Sequence, residues 1–548
     1  MDDNLIFGSP SNPAQQQNNN VGQVPVPNQQ KTEQVNELPV EHPVEPSSPV
    51  QVPLEAPQQP FLQAEPSSVP PVQNFEQNQQ LQEPVSAPPP PPPPPSIEVP
   101  PSDGNQNGSV EEKKSLFSLG AILKIFIGIV VVVVLLFLIF KFVLPMFSKQ
   151  KTGNVTLTYW GLWEDSSVVQ SAISEFEKEN PTIKVSYSKE DSKQYRERLT
   201  TRMNNGTGPD VFRFHNSWYP MLSKYLVPVP TDVVSASDFK KNYYPVAQQD
   251  LIKNGAIYGI PLEIDTLAIY INTDYFKTAG ISSYPKTWEE FINAARKLTV
   301  KDETGKIKTA GAAIGTFENI SHAPDIISML FLQNGVKLSD INSTSQEAAD
   351  ALKFYTDFAT GDGSVWDSTL DNSILAFAKG NLAMCFGYSW DAFTIKALNP
   401  NLNYQVIPVP QLATGKIAIA SYWAEGVSAK SKNQKEALLF LKFLAKKETS
   451  QKLFTEAAKT RMYGEPYARV DLASSLKDNA LIYPFVQQAP IADSSFMVDG
   501  TFDNGLNTKS NEYLKDAVNS MVKDNGSATT AIETLVKGVS QVLQQYGQ

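Results

Sequence analysis

Apolar and polar residues interleave along most of this chain, but between Leu116 and Phe147 the polar positions all but vanish. The run LFSLGAILKIFIGIVVVVVLLFLIFKFVLPMF offers no polar face to either a helix or a strand. Its uncharged centre, Ile125 to Phe140, has 16 residues, which as a helix spans roughly 24 Å against a hydrocarbon core of about 30 Å. Lys124 and Lys141 close the difference by burying their methylene stems and lifting their ammonium groups to the headgroups. The pattern predicts a single transmembrane helix over 116–147. A cleaved signal peptide belongs in the first 15 to 30 residues, so the position of this run argues against one.

The two sides of the run follow different patterns. Residues 1–112 show no periodicity and consist of Pro, Gln, Asn, Ser and Glu, with an unbroken proline run from Pro88 to Pro95. Such a composition buries too little apolar surface to offset chain entropy and predicts a disordered acidic tail, its proline run a stiff polyproline II rod. A spacer role fits this tail, and docking to a cytoplasmic partner is the sharper alternative.

From Asn154 onward the periods are those of an α/β domain. VTLTYW (155–160) alternates as a strand, 167–179 has helical spacing, and TIKVSY (182–187) alternates again after Asn180-Pro181. This succession implies parallel strands joined by crossover helices. Further helices are expected at 193–203, 288–298 with Thr287 as N-cap, 345–359, 434–445 and 513–523, and further strands at 210–214, 267–271, 382–386 and 404–408. About 395 residues of this kind exceed one core and imply two lobes.

Charge sharpens the division. Residues 1–112 hold one Lys against 14 acids, whereas 113–548 hold 45 basic and 43 acidic residues. The folded part is nearly neutral, which gives no footprint for nucleic acid. The lysines flanking the apolar run, Lys113, Lys114 and Lys124 before it and Lys141, Lys149 and Lys151 after it, do not orient it. Cys385 is the only cysteine, so no intrachain disulfide forms and no N-terminal cysteine can carry a lipid anchor.

Seven local signatures stand in order through 154–548. They are LTYWGLWED (157–165), ENPTIKV (179–185), NGTGPDVFRF (205–214), YGIPLEIDTLAIYINTDYFKTAGI (258–281), PKTWEEFINAARKLT (285–299), FAKGNLAMCFGYSW (377–390) and EGVSAKSKNQKEALLFLKFLAKKETSQKLF (425–454). Together they resemble the extracellular solute-binding proteins that serve ABC importers, in particular the maltose-binding type. The resemblance implies a two-lobed Venus-flytrap fold with chain crossings near 263–266, 421–424 and 461–464. One lobe would then hold about 154–263 and 424–461, the other about 266–421 and 464–548.

The resemblance also implies a cleft. Trp160, with Glu164 and Asp165 beyond it, ends the first strand; Phe214, Asn216, Ser217 and Trp218 follow the PDV strand, where Asn and Ser replace the charged members of the maltose-binding type. Glu263 and Asp265 fall at the first crossing, Trp390 after the GNLAM strand, Trp423 at the second crossing, and Arg461 and Tyr463 at the third. Indole faces suit the apolar C–H face of a pyranose, and carboxylates and amides take hydroxyls in fixed directions. A carbohydrate ligand, ABC permease subunits as partners and no cofactor are the corresponding expectations.

Catalytic patterns are weak. His42, His215 and His322 have no metal spacing, and His215 reads as a hydrogen-bonding group of the cleft. DGTFDNG (499–505) lacks the regular acidic spacing and terminal Glu of a calcium loop. Glu263 and Asp265 lie too close along one strand to flank a glycosidic bond. The expectation is a non-enzymatic receptor on the cell membrane, with its binding lobes outside and its tail in the cytoplasm. A ligand-binding sensor or adhesion protein reusing the same fold is the alternative.

Overall fold

The computed structural model describes residues 154–413 and 415–547 together with Val130, Val132 and Val133. The tail over 1–112 and the transmembrane expectation over 116–147 lie outside the described residues, except for those three valines, which are helical and exposed. Among the described residues no helix is long and apolar enough to cross a membrane.

The first sheet grows from the alternation at the start of the domain. β1 (Val155–Gly161), α1 (Ser166–Glu179) and β2 (Ile183–Lys189) make a crossover unit in which β1 and β2 pair in parallel, Val155 opposite Ile183. α1 holds this unit closed by burying Val168, Val169, Ala172, Ile173 and Phe176, a stripe at helical spacing against the sheet. α2 (Tyr195–Asn204) then leads to β3 (Val211–His215), parallel to β1 with Trp160 opposite Phe212. β4 (Ile260–Pro261) forms the far edge beyond a late strand described below.

The second sheet departs from an all-parallel expectation. β5 (Asp265–Thr266) is followed by β6 (Ala268–Asn272), which is the centre strand between β7 (Met384–Gly387) and β8 (Tyr404–Pro408) and is antiparallel to both. The helix Asp391–Leu398 still carries the chain across the sheet between β7 and β8. Those two strands therefore run the same way with β6 inserted between them, and that reverses each pairing without removing the crossover. α3 (Trp288–Leu298) covers this sheet; Thr287 and Glu290 form a full capping box, and Trp288, Phe291, Ala294, Ala295 and Leu298 are buried. Trp288 is thus core, packed on Phe386 and Phe354.

Two strands tie the sheets together. β9 (Ala418–Ser421) pairs antiparallel with β5, and after Tyr422 the chain continues as β10 (Trp423–Val427), antiparallel to β3 and β4 in the first sheet. β4–β5 and β9–β10 therefore run side by side from the first sheet into a separate small sheet of β5, β9 and Ala492–Asp493, from which β6 continues into the second. A third strand of chain joins them where Ile264 donates its N–H to Pro466 O at 2.9 Å and Glu263 forms a β-bridge with Tyr467.

Candidate functional site

The strands end where the crossings begin, and the polar groups at these ends are largely buried. Glu263 is 6% exposed and accepts the Trp423 N–H at 2.7 Å. Asp265 is fully buried and accepts the N–H groups of Ser389 and Thr266, each at 2.9 Å. On the third crossing Arg461 meets Glu465 at 2.9 Å and Glu164 at 3.2 Å, while the Tyr463 hydroxyl donates to Ser389 O at 2.8 Å. Beneath them Arg213 of β3 pairs with Glu425 of β10 at 2.8 Å, both side chains nearly sealed from solvent.

Above this polar floor lies a cavity of about 370 Å³. Glu263, Arg213, Arg461 and Glu465 line its base. Its walls are aromatic: Trp163 and Trp423 meet edge to face with centroids 5.8 Å apart, and Trp390 and Phe502 stand on its other sides. Trp423 is held from behind by Trp218 and His215, both edge to face at 5.3 and 5.1 Å. Trp390 lies flat on Tyr388, centroids 4.5 Å apart, and Tyr388 is itself fixed by its hydroxyl bond to Asp325 at 2.6 Å. Large side chains turned into a pocket are normally covered, so exposures of 40% for Trp163, 37% for Trp390 and 47% for Phe502 mark apolar faces without a protein partner.

His322 completes the wall. It adopts a left-handed backbone (φ 62°) before the helix α4 (Ala323–Gln333), with Nε2 2.9 Å from Asp391 and Nδ1 3.4 Å from Asp499. Burial alone would lower its pKa, but the two carboxylates beside it raise it well above its ordinary value, which favours the imidazolium form. His215 shows the opposite case. Its Nδ1 and Nε2 meet the Ser217 and Ser421 hydroxyls at 2.7 and 2.9 Å, and burial without a charged partner lowers its pKa to about 3, which keeps it neutral. It ends β3 and lines the cavity with its ring hydrogen-bonded on both sides.

The family profile described as bacterial extracellular solute-binding protein matches residues 160–451. The chain belongs to this family. Among related solute-binding proteins, the multiple sugar-binding protein of Streptococcus mutans is 26% identical over 323 residues, which is 56% of this chain and 75% of that one. The galactooligosaccharide-binding protein of Bacillus subtilis is 24% identical over 326 residues, covering 56% of this chain and 73% of the relative. The fold is that of the maltose-binding-like proteins. The sugar-binding protein MalE from Xanthomonas citri superposes with a TM-score of 0.60 at 20% identity, covering 71% of this chain and 98% of that one. A cyclo/maltodextrin-binding protein complexed with maltotetraose gives 0.59 at 18% identity, over 72% of this chain and 99% of that one.

Of the residues expected in the cleft, the fold brings Glu263, Trp390, Trp423 and Arg461 to the cavity wall. The others stand behind or beside it. Asp265 and Tyr463 brace the crossings, and Trp218 is fully buried against Trp423 and Tyr195. Asn216 donates to Asp250 at 2.8 Å in a buried network below the crossings. Phe214 is core: a Cβ on Gly259 would lie 2.7 Å from its ring and one on Gly426 3.0 Å, so two glycines make its space. Trp160 packs partly buried beside Tyr195, and Asp165 is an exposed partner of Lys189 at 2.7 Å.

Sequence reasoning missed several wall residues. Trp163 stood inside a quoted signature three residues after Trp160, and Glu465 lay two beyond Tyr463. Asp499 and Phe502 sit in DGTFDNG, a turn-rich stretch in which no apolar pattern marks the Phe. A left-handed Phe502 (φ 51°) could have been suspected only from the turn residues around it.

The acids of the floor make the protein's stability depend on pH. Burial, together with the neighbouring Glu164, raises Glu465 to about 7; burial and then Glu465 raise Glu263 well above its ordinary value. An unfolded glutamate loses its proton near pH 4.3, so between there and about pH 7 the folded state binds more protons than the unfolded one. Stability therefore falls as pH rises through this window, by up to about 1.4 kcal/mol per pH unit for each retained proton. The ligand-free Tm is expected to decline between pH 5 and 8, and Glu465→Gln to flatten that decline. Equal slopes for the two proteins in a thermal melt series would show that Glu465 is not the group responsible.

Proposed function

We propose that this protein is a membrane-tethered receptor that captures a sugar or oligosaccharide between its lobes and delivers it to an ABC importer. The observation that carries this reading is the cavity itself, where three exposed aromatic faces surround a floor of buried, directionally fixed carboxylates and guanidinium groups. Flat indoles attract pyranose C–H faces, and charged side chains hydrogen-bond the ring hydroxyls that water would otherwise take. The walls come from both sheets: Trp163 and Trp423 from the first, Trp390 beyond the end of β7 in the second. Closure about the three crossings would bring them together on the ligand. The sugar specificities named for the relatives agree with this chemistry.

The apolar run over 116–147 supplies the tether, with the binding domain outside and the Pro-rich tail in the cytoplasm. Two measurements test the reading. A saccharide panel titrated against intrinsic Trp fluorescence should give saturable binding to at least one member, because Trp163, Trp390 and Trp423 all line the cavity. Protease added to intact cells should remove the C-terminal domain and spare the tail; loss of the tail alone would reverse the orientation, and a panel without any saturable binding would overturn the sugar reading.

A further inference from the structure

The charges around the cavity do not balance. Each cation is already committed: Arg213 to Glu425, Arg461 to Glu164 and Glu465, and His322 to Asp391 and Asp499. Three cations therefore face five paired carboxylates, and Glu263 makes a sixth. Glu263 uses one oxygen for the Trp423 N–H, and its other oxygen has no hydrogen-bond partner among the described residues. Its side chain is nevertheless more than nine-tenths buried and lines the cavity. A cavity-facing carboxyl oxygen without a protein partner is a ready acceptor for a cationic donor, whose arrival favours the ionised form.

The cavity offers room for such a partner beside the same group. Trp423, whose backbone binds Glu263, presents its ring to the cavity with Trp163 set against it, and indole faces attract cations as well as sugar C–H groups. We propose that the preferred ligand is an amino sugar, a saccharide whose ammonium group sits at Glu263 beside the edge-to-face Trp163–Trp423 pair. This inference rests on the saccharide reading and narrows it. The ammonium would donate to the free Glu263 oxygen and favour its ionised form, displacing the proton that burial and Glu465 hold there, while the remaining hydroxyls and ring face meet Trp390 and Arg461.

The test compares matched pairs that differ only in amino groups in place of C2 hydroxyls: glucosamine against glucose, galactosamine against galactose, and fully deacetylated chitobiose against cellobiose, with cyclohexylamine as a cation without a sugar. Calorimetric or fluorescence titration of the full folded domain at pH 6.5 should give a Kd at least ten-fold lower for the aminated member of at least one pair. Glu263→Gln keeps the acceptor for the Trp423 N–H and should bring the two members of that pair within about three-fold, with a melting temperature no lower than the parent's as the check on folding. Equal or tighter binding of the neutral members overturns the inference and leaves the saccharide reading intact. Binding of cyclohexylamine as tightly as any amino sugar keeps a cation site but overturns the saccharide reading. Absence of binding throughout overturns both.

Discussion

Replacing Trp390 by Ala is expected to weaken saccharide binding by about 30- to 150-fold, the loss of about 2–3 kcal/mol that removal of a central aromatic anchor costs. The ring is held for this task before any ligand arrives. It lies on Tyr388 at an interplanar angle of 19°, Tyr388 is pinned to Asp325, and the chain then enters the helix Asp391–Leu398. A ligand ring stacked on it therefore meets a surface whose ordering cost has been met by folding. At 37% exposure Trp390 contributes little to the core, so the substitution should leave the Tm nearly unchanged. Trp390→Phe keeps a smaller flat face and should fall between the two. Full affinity in the Ala variant, measured by the same titration, would remove Trp390 from the site.

Arg213→Met is expected to destabilise the domain by about 3–5 kcal/mol, because it strands Glu425 as an unpaired charge. The two side chains face each other across the β3–β10 pairing, in register and 2.8 Å apart, with Glu425 fully buried. Burial raises the Glu425 pKa and Arg213 opposes that rise, so without the guanidinium the carboxyl must take up a proton or remain charged in an apolar sheet. The double variant Arg213→Met with Glu425→Leu removes both charges and should recover most of the loss. Chemical unfolding of the single and double variants separates these outcomes. A single variant within about 1 kcal/mol of the parent would show the pair to be dispensable, as exposed ion pairs commonly are.

The local elements were legible to very different degrees. α3 begins and ends where the sequence places it because Thr287, Glu290 and a clean apolar stripe act within one turn of one another. β8 was equally plain. α5 (Leu506–Val522) is legible only in its second half, since its first turns follow DGTFDNG and carry Asn, Thr and Lys; Asp503, which accepts the N–H groups of Asn507 and Thr508, anchors them. The reversal of pairing around β6 was not legible. Strand direction depends on how far the chain travels between strands, and alternation carries no record of it.

What the sequence by itself determined is the partition of the chain and the identity of its family: a long apolar run, an acidic Pro-rich region before it, and seven ordered signatures after it. These are properties of composition and local spacing, and local interactions suffice to read them. It also placed Glu263, Trp390, Trp423 and Arg461 at the ends of strands and crossings. Only the tertiary structure decided which ring faces a cavity and which faces the core, because Phe214, one residue inside the end of β3, Trp218, three beyond it, and Trp423, which opens β10, all lie near strand ends. The difference is made by groups far away in the chain: Gly259 and Gly426 enclose Phe214, and Trp423 covers Trp218. Likewise the unbalanced charge at Glu263 exists only in three dimensions, where crossings some 200 residues apart in sequence, at Glu263 and Glu465, bring like charges into one buried site.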